Sequence, residues 1–201
     1  MRPRKTHTTA LVLIPPEELW EPIQALRRQY DRKVRRWMPH ITLLYPFRPR
    51  DLFPEVLPLL RAACARLRPF SLQLREFRLF HHGPRSHTIW LAPEPAEPIC
   101  ELHRRLLELF PDCHDQSRYP SGFTPHLSIG QYRGPRQAAE RFCASLRRQW
   151  QPLRFAVSGV VLIARNDPPD DIFEPVAYIP FGSREAAPEE LCERFDNGDV
   201  L

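Results

Sequence analysis

The chain has 201 residues, of which 42% are hydrophobic and 26% are charged, a composition typical of a soluble globular protein that buries a substantial core. Its net charge of +5 favours anionic partners. The longest apolar stretches are too short to cross a bilayer and the N-terminus lacks a secretory hydrophobic segment, so we expect a cytoplasmic protein without a membrane partner.

Strands and helices are predicted to alternate through the first half of the chain. An aliphatic run at residues 8–14 indicates a buried strand, and apolar residues at helical spacing follow over residues 19–30. A second strand is predicted at residues 40–47 and a helix over residues 51–66, with Asp51 as its N-cap. Residues 70–80 then predict a long strand, whose alternation changes phase as it does at a β-bulge.

The second half of the chain repeats this plan. We predict a returning strand at residues 88–92, a helix at 98–110, a strand that begins near 126, a helix at 135–150, and a final hairpin of residues 155–164 with 175–181. The order favours an α+β fold, and no linker rich in Gly or Ser separates independent domains. We therefore expect one domain over residues 1–183, followed by an acidic tail over residues 184–201 that lies outside the folded core.

One short motif occurs twice, as Pro-His-Ile-Thr-Leu at residues 39–43 and Pro-His-Leu-Ser-Ile at residues 125–129. In each copy the alternation predicts a strand with the histidine and the hydroxyl on one face and the aliphatic side chains on the other. The two histidines lie 86 residues apart, close to half the chain, as a duplicated unit would place them. Adjacent motif strands would bring two imidazoles and two hydroxyls into one cleft, whereas separate strands would leave the histidines facing solvent.

The paired motifs resemble those of the 2H phosphoesterase superfamily, which includes the 2′,5′ RNA ligase-like RNA 2′,3′-cyclic phosphodiesterases. The resemblance covers residues 7–182 and implies two pseudo-symmetric lobes, each an antiparallel sheet flanked by helices, with the active cleft between them. It also implies that His40, Thr42, His126 and Ser128 are catalytic, with His40 as proton donor and His126 as acceptor. Ser128 replaces the commoner threonine, which keeps the hydroxyl but loses a methyl group.

The reaction that this resemblance predicts is metal-independent hydrolysis of a 2′,3′-cyclic phosphate on an RNA end or a nucleotide. One neutral histidine would take a proton from water while the other, protonated, donates to the leaving ribose oxygen. Thr42 and Ser128 would donate hydrogen bonds to the nonbridging phosphate oxygens. We expect no cofactor and no metal, because the other histidines and the five cysteines lack the spacing of zinc sites.

Three further residues are candidates for substrate binding. Arg165 ends a predicted strand and resembles a basic position beside the phosphate, while Phe123 and Tyr45 could stack on a base, with Phe123 favoured because its loop enters the second motif. A run of basic residues before His40 predicts a surface that attracts RNA. These residues are Arg27, Arg28, Arg32, Lys33, Arg35 and Arg36.

Two other functions remain open at this point. The chain could be a nucleotide- or RNA-binding module with little turnover, although simple affinity does not require two histidines and two hydroxyls. It could also join RNA ends without ATP as a 2′,5′ ligase, and it lacks the P-loop that nucleotide-driven ligation would need. The sequence does not decide the physiological substrate, whether the 2′ or 3′ oxygen leaves, or the oligomeric state, for which we expect a monomer.

Overall fold

The computed structural model describes residues 4–118 and 122–182, so the predicted acidic tail lies outside the described residues. Within these residues eight strands form one antiparallel sheet. The strands are β1 (Thr9–Leu13), β2 (Ile41–Leu44), β3 (Phe70–Gly83), β4 (Ser86–Glu94), β5 (Leu127–Arg133), β6 (Leu153–Val157), β7 (Gly159–Ala164) and β8 (Glu174–Pro180). The helices are α1 (Trp20–Tyr30), α2 (Phe53–Cys64), α3 (Glu97–Leu109) and α4 (Arg136–Gln149). None of these helices is long and apolar enough to span a membrane.

The strand order reveals two halves with the same plan. The sheet runs β6-β3-β4-β5-β2-β1-β7-β8, so each motif strand, β5 or β2, is the innermost of four strands. The halves meet where β2 pairs with β5 in antiparallel orientation. This arrangement confirms the predicted α+β fold with two pseudo-symmetric antiparallel halves.

The two faces of the sheet are covered differently. The main core lies on one face, where apolar side chains from all four helices pack against the sheet, including the aliphatic residues of both motifs. A smaller apolar cluster forms a second core around Ala10, Val12, Met38, Ile163 and Phe173. Because side chains alternate along a strand, the polar residues of the motifs extend on the face opposite the main core.

Close packing at Gly130 fixes the segment that leads to the first motif. A Cβ at Gly130 would lie 2.4 Å from the backbone carbonyl of Tyr30, at the end of α1, so only glycine fits this approach. Beside this contact the backbone N–H of Arg32 donates to Oε1 of Gln131 at 3.1 Å. The loop after α1, which continues to His40, is therefore held against β5 of the other half.

Two predictions about the elements are wrong. Residues 155–164 form two strands and not one, because the chain leaves β3 after β6 and joins β1 as β7. The alternation of core residues changes phase here, from Phe155 and Val157 to Val160 and Leu162. A bulge gives the same signal, so the pattern does not reveal the change of partner. Asp51 does not cap α2. This helix begins at Phe53 after a 3₁₀ turn and has no side-chain cap, and the carboxylate of Asp51 binds Arg4 at 2.5 Å. The bulge predicted in β3 is confirmed, between Leu74 and Glu76.

Candidate active site

The four polar residues of the two motifs meet at the junction of the halves. β2 and β5 pair through the aliphatic residues that directly follow the two histidines. In an antiparallel ladder this register places His40 opposite Ser128 and Thr42 opposite His126, with the Cα atoms of opposite residues about 4.5–5.5 Å apart. Each histidine therefore faces the hydroxyl residue of the other motif, on the sheet face away from the main core.

Both histidines are oriented by the same backbone hydrogen bond. Nδ1–H of His40 donates to the carbonyl of Met38 at 2.7 Å, and Nδ1–H of His126 donates to the carbonyl of Thr124 at 2.8 Å. A carbonyl oxygen only accepts, so the proton of each neutral ring is on Nδ1. Nε2 is consequently the atom that each imidazole can offer to a substrate, as a base when neutral and as an acid when protonated.

The surroundings of both rings disfavour the imidazolium form. Burial lowers the pKa of His40 to about 4, against the opposing hydrogen bond to Met38, and the charges of Arg27 and His126 lower it further. Burial likewise lowers the pKa of His126, against its hydrogen bond to Thr124. An anion between the rings would reverse this effect, because a nearby negative charge stabilises the protonated form.

A pH titration by NMR is expected to detect this environment. Without ligand, the ring resonances of His40 and His126 should titrate below the ordinary histidine pKa of about 6.5, and a 3′-phosphorylated nucleotide should raise both midpoints. The fold should also lose stability as the pH falls below about 6.5, because the unfolded chain binds protons that the folded histidines exclude. Midpoints at or above 6.5 without ligand would contradict the expected burial.

An aromatic cluster lies beside the first histidine. The ring of His40 stacks on Trp37 with centroids 4.7 Å apart, and Trp37 stacks on Phe173 at 3.8 Å. Tyr45 meets Trp37 edge-on at 5.3 Å, and the guanidinium of Arg165 lies 5.6 Å from the centroid of Phe173. The structure thus brings two of the three predicted substrate-binding residues, Tyr45 and Arg165, to the cluster that contacts His40.

Different aromatic residues surround the second histidine. Phe80 and Trp90 stack on each other at 4.7 Å and both approach His126 edge-on, at 4.9 and 5.9 Å. Phe123, the third predicted substrate-binding residue, instead stacks on His103 of α3 at 3.8 Å and packs against the main core. One of its ring faces is therefore already covered by His103.

Sequence reasoning missed Trp37 and Phe80 as neighbours of the histidines. Trp37 lies in a basic stretch that resembled a solvated surface, and Phe80 is the last residue of the predicted strand of residues 70–80. The only available signal for Trp37 was its position three residues before His40. For Phe80 no local signal exists, since its contact with His126 depends on the pairing of three strands.

Much of the basic segment before His40 is neutralised by acidic partners. Arg27 is buried and binds Asp31 through two hydrogen bonds, at 3.1 and 2.8 Å. Both Arg35 and Arg36 bind the buried carboxylate of Asp171. These contacts tie the segment to the fold, so it offers less positive charge to RNA than the sequence predicted.

In the part of the chain that the structure describes, no group of three or more His, Cys, Asp or Glu side chains could hold a metal ion. Activity in excess chelator decides whether the reaction needs a metal.

Comparison with known proteins gives a family match over most of the chain. The sequence matches the family model of the 2′-5′ RNA ligase superfamily over residues 15–169. A provisionally named phosphoesterase of Bacillus pumilus is 31% identical over 126 residues, which cover 60% of this chain and 68% of that protein. Another, from Bacillus licheniformis, is 29% identical over 122 residues, covering 60% and 69% of the two chains.

Solved structures with the same fold include TT0787 of Thermus thermophilus and LigT of E. coli. TT0787 has a TM-score of 0.59 and 22% identity, with 88% of this chain and all of that chain covered. LigT in its apo form has a TM-score of 0.58 and 18% identity, with 90% of this chain and all of that chain covered. At these identities the structural likeness extends to the fold alone.

Proposed function

The chain belongs to the 2′-5′ RNA ligase superfamily, a family of phosphoesterases, and we propose that it hydrolyses 2′,3′-cyclic phosphates at RNA ends or on nucleotides by two-histidine acid–base catalysis. The observation that carries this proposal is the β2–β5 register, which sets two histidines and two hydroxyl residues opposite one another. Both imidazoles fix their Nδ1 atoms on backbone carbonyls, which leaves two Nε2 atoms for the reaction.

The proposed step forms one P–O bond and breaks another. Neutral His126 takes a proton from water at Nε2 as the water oxygen attacks phosphorus. The bond between phosphorus and one ribose oxygen breaks, and protonated His40 gives its Nε2 proton to that oxygen. The product is a nucleoside 2′- or 3′-monoester, and proton exchange with solvent returns each histidine to its starting state.

The hydroxyl residues have a separate role in the proposal. Thr42 and Ser128 lie across the strand junction from His126 and His40, so their hydroxyls can donate to the nonbridging oxygens of a phosphate held between the rings. Charge on these oxygens grows in the transition state, and preorganised donors stabilise it. The same bound anion would raise the pKa values of the histidines, which keeps one of them protonated near neutral pH.

Hydrolysis of a short RNA ending in a 2′,3′-cyclic phosphate, in excess chelator, tests the proposal. We expect conversion to a monophosphate end at an undiminished rate, and analysis of the product would identify the leaving oxygen. Turnover abolished by chelator would contradict the metal-independent mechanism. A protein that binds the RNA without changing it would be a binding module, and joined RNA ends would indicate ligation.

A further inference from the structure

The two sides of the candidate site differ in what they leave exposed. Beside His40, the aromatic cluster of Trp37 and Phe173 is packed onto the smaller apolar core. Beside His126, the outward face of the β3–β4 hairpin carries Phe80 and Trp90, which contact the histidine, and the polar residues Arg78 and His82, which are exposed, and Thr88, which is half-buried. A ligand that extends beyond the four motif residues can therefore meet exposed polar side chains on the β3–β4 side.

Arg78 occupies a defined place on this surface. It lies opposite Trp90 in the β3–β4 ladder, and Trp90 lies opposite Ser128 in the β4–β5 ladder. Two strand spacings, roughly 10 Å in all, thus separate the backbone of Arg78 from that of Ser128. This span is one that a single nucleotide and a flexible arginine side chain can bridge.

The contacts of Arg78 orient its guanidinium but leave hydrogen-bonding capacity. The guanidinium lies 5.9 Å from the ring centroid of Trp90, whose indole is stacked on Phe80. Its nearest carboxylate oxygen, on Glu94, is 3.6 Å away, which is too long for a hydrogen bond. The side chain is 57% exposed. A planar guanidinium that lies over an aromatic ring and still has N–H groups available to donate is well suited to bind a phosphate.

On the His40 side of the site, the arginine side chains are less available to a second phosphate. On the His40 side, Arg35 and Arg36 are engaged by the carboxylate of Asp171. The guanidinium of Arg165 rests over Phe173 and donates to the backbone carbonyl of Asn166 at 2.9 Å. A second phosphate placed on this side would have to compete with these contacts.

We propose that Arg78 binds the phosphate that precedes the cyclic end, and that the preferred substrate is accordingly an RNA chain and not a free cyclic nucleotide. This inference rests on the function proposed above, with the cyclic phosphate seated between the two histidines. The upstream nucleotide then crosses β5 and β4 toward the β3–β4 hairpin. Selectivity for a chain over a mononucleotide resides in this contact, while the chemistry stays with the four motif residues.

The test compares two substrates in two variants. Values of kcat/KM are measured for a 2′,3′-cyclic mononucleotide and for a tetranucleotide with a 2′,3′-cyclic end, using wild type, Arg78→Ala and Arg75→Ala. Arg75 is the matched control because it is on the same strand, is 59% exposed and has its nearest carboxylate at 3.8 Å. We expect Arg78→Ala to lose about tenfold on the tetranucleotide alone, and Arg75→Ala to match wild type on both substrates.

Salt dependence provides a second readout. Loss of one phosphate contact should reduce the slope of log kcat/KM against log salt by about 0.7 for the tetranucleotide and leave the mononucleotide slope unchanged. Equal losses on both substrates, or no loss for Arg78→Ala, would overturn the role of Arg78. If Arg75→Ala shows the same selective loss on the tetranucleotide, the loss reflects positive charge in general, and the proposed role of Arg78 is overturned as well.

Binding separates the failure of this inference from that of the proposed function. If wild type turns over neither substrate, the proposed function fails, and affinity is then measured for a 3′-phosphorylated tetranucleotide and a 3′-mononucleotide. A selective loss of tetranucleotide affinity in Arg78→Ala would still support the phosphate contact. Unchanged affinity would overturn it.

Discussion

Replacement of either His40 or His126 by alanine is expected to lower kcat/KM for a cyclic-phosphate substrate by about 10²–10⁴-fold. Each variant removes one of the two proton-transfer groups that the β2–β5 junction brings together. Because the two imidazoles act in one step, the double variant should fall little below the weaker single variant. The measurement is steady-state hydrolysis of RNA with a 2′,3′-cyclic end.

His114→Ala is the matched control for these variants. Nδ1 of His114 lies 3.1 Å from the carbonyl of Pro111, so it makes the same type of backbone contact as the motif histidines, but its side chain is exposed and it belongs to a 3₁₀ turn and not to a motif strand. This variant should retain full activity. Activity within a few-fold of wild type in His40→Ala or His126→Ala, with normal thermal unfolding in all variants, would exclude two-histidine catalysis.

The repeated motif explains why the centre of the site could be predicted from sequence. A period of two fixes which face of a strand carries the histidine, and the duplication indicates that two such strands belong together. The pairing of β2 with β5 confirms that they are adjacent. The register itself, which sets His40 against Ser128, could not be predicted, because it depends on where each half ends.

The residues that surround the histidines could not be predicted from the sequence, for a physical reason. Phe80 and Arg78 reach the site through the pairing of β3 with β4 and of β4 with β5, which brings together residues far apart in sequence. Trp37 is close to His40 in the chain, but it is held beside the ring by stacking on the distant Phe173. The division of residues 155–164 into β6 and β7 has the same origin, since alternation identifies a strand but not its neighbour. Sequence patterns thus predicted the two motif strands better than the side chains that surround the site.

A substrate with a better leaving group is expected to separate the acid from the base. In bis(p-nitrophenyl) phosphate the leaving group departs as a stable anion and needs no proton from the enzyme. If His40 is the proton donor, the kcat/KM of His40→Ala on this diester should stay within about tenfold of wild type, although its kcat/KM on the cyclic substrate is strongly reduced. His126→Ala should lose about 10²–10⁴-fold on both, because water must still be deprotonated.

The assignment of His40 as proton donor follows from the family resemblance. Burial lowers the pKa of both rings, so the donor depends on the charge of the bound phosphate, which stabilises the imidazolium form. If His126→Ala is instead the variant that the p-nitrophenyl diester rescues, the roles are reversed. If neither variant is rescued, proton donation is not the function of either ring.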